Sequence, residues 1–325
     1  SSITNMSHEY NAMMEWPKIY TKRELVDGVY KFRCSDLKFD DDWDCWCNYD
    51  EFDNEIEHFY TSIYTCGSVS ILNSQIPEAE FKSKLHSASG SGNSVGSNMS
   101  TTITQAMLNG PGWYIEVLSD RLLIQDLLVM MAKNTDTQVK YGTGRCNVYN
   151  SSPIDTGTMD TKGLFWGSMD ETSGVKVFGM ENWWGNLWRK TAGLINDNGT
   201  LKAKLTHDKH DGSTASDYNL NGEGYKEISD ATPSGTSGGY INEMKNDLAF
   251  GRIPITADGS STAYEPDSLY FNNEVNGYAM FGGAWSNGWR AGAFCVELRY
   301  GSDMTSRNTD GVALSCKPYA DNAVK

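Results

Sequence analysis

Apolar and polar residues alternate along Val29–Cys34 and again along His58–Cys66, the period-two signature of strands with one wet and one dry face. Between them, Phe39–Asp53 is a run of acids and aromatics, so residues 1–67 read as a strand-rich opening region. The period changes after Ser119. Leu122, Leu123, Leu127, Leu128 and Met131 recur at helical spacing, which predicts a helix capped by Ser119 and ending near Lys133. A shorter helix is expected over Thr101–Leu108, stopped by Gly110, Pro111 and Gly112. The Ser- and Gly-rich stretch Ser87–Ser100 has the makeup of a loop. Past Gly142 the pattern holds only short apolar runs, Val175–Phe178, Leu248–Ile255 and Ala291–Leu298, broken by Gly, Asn and Ser turns, and no repeat of useful period. The expected class is α+β, β-rich with one or two helices and long structured loops, residues 68–325 forming the main domain.

Composition narrows the function. Ten Trp and seventeen Tyr beside 32 Gly suit short strands and turns better than a helical bundle. A net charge of -15 without a Lys/Arg cluster excludes a nucleic-acid partner. The longest apolar candidate, Trp113–Met131, is interrupted by Glu116, Asp120, Arg121 and Asp126, so no membrane insertion is expected. The start at Ser1, with neither a secretory leader nor an initiator Met, reads as a fragment or processed product. Seven scattered cysteines fit neither a disulfide framework nor a zinc module and are expected to be buried free thiols.

Candidate cofactor and metal sites are weak, and none is expected. Asp40, Asp41, Asp42, Asp44, Asp50, Glu51 and Asp53 lack the spacing of a calcium loop and read as a solvated acidic face. Cys45 and Cys47 have no second pair at fitting distance, and His207 and His210 read as surface-loop residues. The glycines of Ser234–Gly239 have no following Lys and no strand-to-helix context, so they form no phosphate cradle.

Two segments carry a resemblance. Phe178-Gly-Met-Glu-Asn-Trp-Trp-Gly-Asn-Leu-Trp188 resembles the Gly-Asn-Val-Trp-Glu-Trp segment of the formylglycine-generating-enzyme branch of the C-type lectin fold. Phe281-Gly-Gly-Ala-Trp-Ser-Asn-Gly-Trp-Arg-Ala-Gly-Ala-Phe-Cys295, followed by Gly311-Val-Ala-Leu-Ser-Cys316, resembles that branch's Arg-Gly-Gly-Ser-Trp segment and closing strand. Within the branch the pattern is most similar to the variable proteins of diversity-generating retroelements of gut phages, specifically over about Gly163–Pro318 and more weakly over Trp16–Lys140.

That resemblance implies a C-type-lectin-like scaffold and a receptor-binding role without catalysis, function being grafted on a fold. Copying with errors at template adenines would vary selected codons within about 272–317 while Gly282, Gly283, Trp285, Gly288, Gly292, Phe294 and Cys295 largely escape. By position in the pattern, the ligand-binding set is Asn276, Gly277, Tyr278, Ser286, Asn287, Trp289, Arg290, Glu297, Arg299, Tyr300, Asp303, Met304, Thr305, Ser306, Arg307, Asn308 and Thr309. Its mixture of Trp, Tyr and Arg with short polar groups is that of a paratope. Alternation along 294–299 predicts that Glu297 and Arg299 face outward while Phe294, Val296 and Leu298 are buried. The implied partner is a host-cell receptor, protein or glycan, met from a phage tail tip or fibre or, alternatively, a bacterial cell surface, with a homotrimer or attachment to other tail proteins adding avidity. The competing readings are a copper oxidase of the formylglycine-generating type, for which Cys295 and Cys316 are the only pair in the right region, and a purely structural virion protein.

Overall fold

A computed structural model describes residues 11–66, 84–90, 98–149, 151–204, 214, 216–228, 238–301 and 307–319. The chain opens with β1 (Met13–Pro17), the hairpin β2 (Tyr20–Val26) and β3 (Val29–Ser35), and β4 (His58–Ser62). Helix α1 (Met99–Met107), β5 (Trp113–Ile115), helix α2 (Leu118–Ala132) and the short helix α3 (Thr137–Tyr141) follow. The rest is strand and turn: β6 (Lys176–Val177), β7 (Met180–Glu181), β8 (Trp188–Asp197), β9 (Thr200–Ala203), β10 (Lys226–Glu227), β11 (Gly239–Tyr240), β12 (Glu243–Asp247) and β13 (Gly251–Thr256). The last strands are β14 (Ser268–Phe271), β15 (Asn276–Phe281), β16 (Val296–Leu298), β17 (Asp310–Val312) and β18 (Leu314–Cys316). The molecule is β-rich with few helices, an α+β arrangement as the periodicities predicted.

Two sheets organise it. The larger has the order β10-β9-β8-β15-β16-β14-β11, with β17 pairing in parallel beside the N-terminal half of β8. The smaller has the order β1-β4-β18-β5, so strands of the opening region share hydrogen bonds with a strand near the C-terminus. Helix α2 packs against β8 and β13, and a continuous apolar core joins Leu122, Leu123 and Leu128 of α2 to Trp183, Trp184, Phe281 and Phe294. Trp183, Trp184 and Trp188 are buried, as a chain so rich in aromatics requires, and left-handed backbone at Gly185 and Asn186 turns the chain so that Trp188 enters the second core cluster.

Several local expectations are corrected. Ser119 does not cap α2: the N-cap is Val117 without a side-chain cap, and Ser119 lies buried in the first turn. The helix is not amphipathic in the simple sense, because every residue from Leu118 to Leu128 is buried. Its polar side chains find partners instead of water. Gln125 Nε2 and Arg121 Nη2 donate to the Ala293 carbonyl at 2.6 and 3.0 Å, and Lys317 Nζ pairs with Asp120 at 3.1 Å. Helix α1 starts two residues before Thr101, where Asn98 Oδ1 accepts from the Thr101 amide at 2.8 Å. The ten-residue β8 was not anticipated, since Arg189, Lys190 and Thr191 break the apolar pattern of a central strand. Buried partners replace hydration: Glu116 accepts from Arg189 Nε at 3.1 Å and from the Thr191 hydroxyl at 2.9 Å.

All seven cysteines are free, and six are buried; Cys34 is partly exposed. In the acidic stretch, Asp40, Asp41 and Asp42 are exposed beside Lys22, but Asp50 is sealed and accepts the Phe52 and Asn54 amides at 2.9 Å, holding a turn rather than facing solvent. Among the described residues, no helix is long and apolar enough to cross a membrane. His207, His210 and residues 234–237 lie outside the described residues.

Candidate functional site

The resemblance-derived positions sit on β15, on the Gly-rich excursion between β15 and β16, and on the segments that leave β16 and enter β17. Two glycines set this path by close approach. A Cβ on Gly277 would stand 2.1 Å from the Leu298 carbonyl oxygen, and one on Gly292, whose φ is +155°, would stand 2.0 Å from Asp267 Oδ1. Gly277 is therefore not a position at which side chains can be exchanged, contrary to the expectation for it. Asp267 is wholly buried and accepts the Phe294 amide at 2.7 Å, and burial holds its carboxyl well above the usual range.

Outside this frame, several predicted side chains converge on one ring, Tyr270 of β14. Arg299 Cζ lies 4.7 Å from the Tyr270 centroid and 5.7 Å from that of Tyr300, and Arg307 Cζ lies 3.8 Å over Tyr300. Asn287 Nδ2 donates to the Tyr270 hydroxyl at 3.1 Å, and its Oδ1 accepts the Ala284 amide at 2.8 Å. Arg290 Cζ stands 5.2 Å from the Tyr240 ring, and hydrogen bonding to the Tyr270 hydroxyl raises its pKa above the ordinary arginine value. Trp289 and Arg290 are exposed on a short 3-10 turn, Trp289 at 43%, and Asn308 is exposed as well. Asn276, Ser286, Asn287, Arg299, Tyr300, Arg307 and Thr309 are partly exposed. Asp303, Met304, Thr305 and Ser306 lie outside the described residues.

Two expected surface positions are interior. Tyr278 is 1% exposed, packed in the second core cluster with its hydroxyl 3.5 Å from Asp310 Oδ2. Glu297 is 0% exposed, so β16 is covered on both faces and the predicted outward pairing of Glu297 with Arg299 does not occur. Strand β16 lies between β14 and β15, and other layers cover both of its surfaces; alternation then carries no information about solvent. Glu297 instead anchors Arg299 from within, accepting its amide at 3.1 Å, Nε at 2.8 Å and Nη2 at 2.6 Å. Below the surface, Lys190 and Asp310 are both buried. Burial lowers Lys190 to about 8 and raises Asp310, each shift favouring the neutral form.

Tyr270 and Tyr240 were missed by sequence reasoning because they precede the segment of about 272–317. Pairing of Tyr270 with Glu297 across the parallel β14–β16 ladder sets its buried ring directly beneath these side chains. An apolar triplet, Leu269-Tyr270-Phe271, was the available signal of a buried strand, but it does not say which segment that strand will border.

The two cysteines that a copper oxidase would need are poor ligands here. Cys295 adjoins β16 of the larger sheet and Cys316 belongs to β18 of the smaller. Both are buried, and burial pushes both thiols up, Cys316 to about 12, so neither is poised to become a thiolate.

No family model and no curated protein matches the chain. Among solved structures it is similar to the Major Tropism Determinant U1 variant, at 12% identity and a TM-score of 0.32, covering 92% of this chain and 72% of that one. The P3c variant of the same protein is matched at 12% identity and a TM-score of 0.31, with the same coverage. A superposition this loose is compatible with many β-rich architectures and selects none of them.

Proposed function

We propose that this chain is a receptor-binding, adhesin-like protein without catalytic activity, which displays a diversified ligand-binding surface on a C-type-lectin-like scaffold of the formylglycine-generating branch. The surface comprises Asn276, Ser286, Asn287, Trp289, Arg290, Arg299, Tyr300, Arg307, Asn308 and Thr309, with Asp303, Met304, Thr305 and Ser306 completing the segment. Tyr278 and Glu297 support it from inside. The partner is a host-cell receptor, protein or glycan, and the setting is a phage tail tip or fibre, where trimerisation would multiply weak single contacts.

One observation carries this reading: Asn287, Arg290 and Arg299 meet at Tyr270 and Arg307 joins them through Tyr300, while the intervening Phe294 and Cys295 and the neighbouring Trp285 are sealed in the core. A surface of Arg, Tyr, Trp and Asn backed by a rigid frame is the arrangement in which partners change without loss of fold. Sequencing the gene from sister isolates tests it. The expected result is substitution confined to adenine-bearing codons of the named exposed positions, with Gly277, Gly292 and Phe294 constant. Substitutions spread evenly along the chain would overturn it.

A further inference from the structure

A second region, which the receptor-binding reading does not use, encloses a cleft of about 560 Å3. Its walls come from the β2–β3 hairpin, from α2 at Asp126 and Met130, from the β12–β13 hairpin, and from Tyr264 and Glu265. No residue of the 272–317 segment lines it.

Four charged side chains meet at this cleft, each more than nine-tenths buried: Arg23, Asp126, Arg252 and Glu265. Arg23 Nε donates to Asp126 Oδ2 at 2.9 Å, and the Tyr30 hydroxyl donates to the same oxygen at 3.1 Å. Arg252 Nη1 donates to Glu265 Oε1 at 2.7 Å, and its Nε stands 3.7 Å from Asp126 Oδ1. Two guanidinium groups and two carboxylates cancel. Two donors are left over: Arg252 Nε and Nη2 are both buried with no hydrogen-bond partner among the described residues, Nε only facing Asp126 across 3.7 Å, and an unsatisfied buried N–H is costly enough to require an acceptor. Around this neutral cluster stand the exposed amides of Asn242 and Asn246, the ring of Tyr264, 76% uncovered, and the apolar side chains of Val29, Phe32, Val129, Met130 and Met244.

These features define a ligand. A free anion would face two carboxylates, a cation would face two guanidinium groups, and a hydrocarbon would leave Arg252 Nη2 unsatisfied. Hydroxyl groups both donate and accept, matching interleaved carboxylate, amide and guanidinium partners, and an aliphatic ring face suits an uncovered phenol ring. The volume is in the range of small-molecule sites. We propose that this cleft binds a neutral saccharide unit of one or two rings, the Asn242 and Asn246 amides exchanging hydrogen bonds with its hydroxyls and Tyr264 packing on its C–H face, while a shift of the Arg252 side chain brings Nη2 to a sugar oxygen. Calcium has no part in the contact, because the guanidinium groups already neutralise Asp126 and Glu265.

The test is saturation-transfer NMR on the full chain in EDTA, with methyl α-mannopyranoside, methyl β-galactopyranoside, N-acetylglucosamine and lactose, each at millimolar concentration. The expected result is transfer to at least one of them, weakened about tenfold or more by Tyr264→Ala and by Asn246→Ala. Both side chains are exposed, so unchanged melting of each variant shows that the fold is intact. Arg290→Ala should leave the signal untouched, and sodium acetate and tetra-alanine should not displace it. No transfer from any of the four sugars, transfer that survives both cleft substitutions, or displacement by acetate or the peptide would overturn the proposal. Because sugar binding is read directly, its failure leaves the receptor-binding reading standing, and the isolate comparison fails or succeeds independently.

Discussion

An arginine over an aromatic ring and against a glutamate occurs in two settings in this molecule, and they do different work. In the interior, Arg121 Cζ lies 3.6 Å from the Trp183 ring and 5.2 Å from that of Phe281, with Glu116 shared between Arg121 at 3.6 Å and Arg189 at 3.1 Å. On the C-terminal surface, Arg299 lies over Tyr270 and against Glu297, and Arg307 lies over Tyr300 with its Nε 3.6 Å from Asp310. The residue types are the same, and the solvent differs. The interior set has no water to take over if one member is lost, so it belongs to the fold, and burial, with the neighbouring Arg189 charge, lowers Arg121 to about 9 despite Glu116. The outer guanidinium groups keep some hydration, so the loss of one costs less than in the interior. The division between the two regimes runs through the ion pairs themselves, because Glu297 and Asp310 are sealed while the Arg299 and Arg307 side chains are partly open.

The strongest way to break this contrast is Glu116→Ala, which strands two buried guanidinium groups and should cost about 3–5 kcal/mol in urea unfolding. A loss under about 1 kcal/mol would show that the interior set is as dispensable as the outer one. Arg299→Ala sharpens the boundary. Leaving Glu297 buried without its two guanidinium contacts, the Arg299 amide still donating to it, should cost about 1.5–3 kcal/mol, and the double variant with Glu297→Gln should recover part of it. Stability equal to the parent would place Arg299 wholly in the exchangeable layer.

Lys190, which lies between the two regimes, offers a pH test. Between its lowered pKa of about 8 and the ordinary 10.5, the unfolded chain holds a proton that the native chain has released. Native stability should therefore be insensitive to this group below pH ~8 and rise with pH above it, by about 1–2 kcal/mol up to pH ~9.5. Lys190→Met should remove that rise, and an identical pH dependence in the two proteins would refute the assignment. The smallest effect is expected of Arg290→Ala and Asn308→Ala, within about 0.5 kcal/mol of the parent in melting experiments, while adsorption to receptor-bearing cells falls. Unfolding of either variant would mean that the exchangeable layer has been drawn too deep.

Part of this was legible in the residue order. Alternation along Val29–Cys34 and the apolar spacing after Ser119 announced a hairpin strand and the main helix, because a period of two or of 3.6 is a local property. The density of Trp and Gly around 183–188 and 282–294 marked a packed frame with tight turns. What was not legible has one cause in each case: a partner distant in sequence. β8 reads as polar until Glu116, some 75 residues earlier, is seen to satisfy Thr191. Glu297 and Tyr278 read as surface until layers from elsewhere in the chain cover them, and Gly277 reads as exchangeable until the Leu298 carbonyl is seen to occupy the space of its side chain.

By itself, then, the sequence determined the periods, the turns and the acidic, aromatic-rich character of the chain, all of which follow from steric preferences within a few residues. Only the tertiary structure decided which charged groups are sealed, which rings gather the C-terminal arginines, and that Arg252 is left with donors unmet in a cleft built from four separate segments. Burial and long-range pairing depend on the whole set of contacts at once, and no local pattern encodes them.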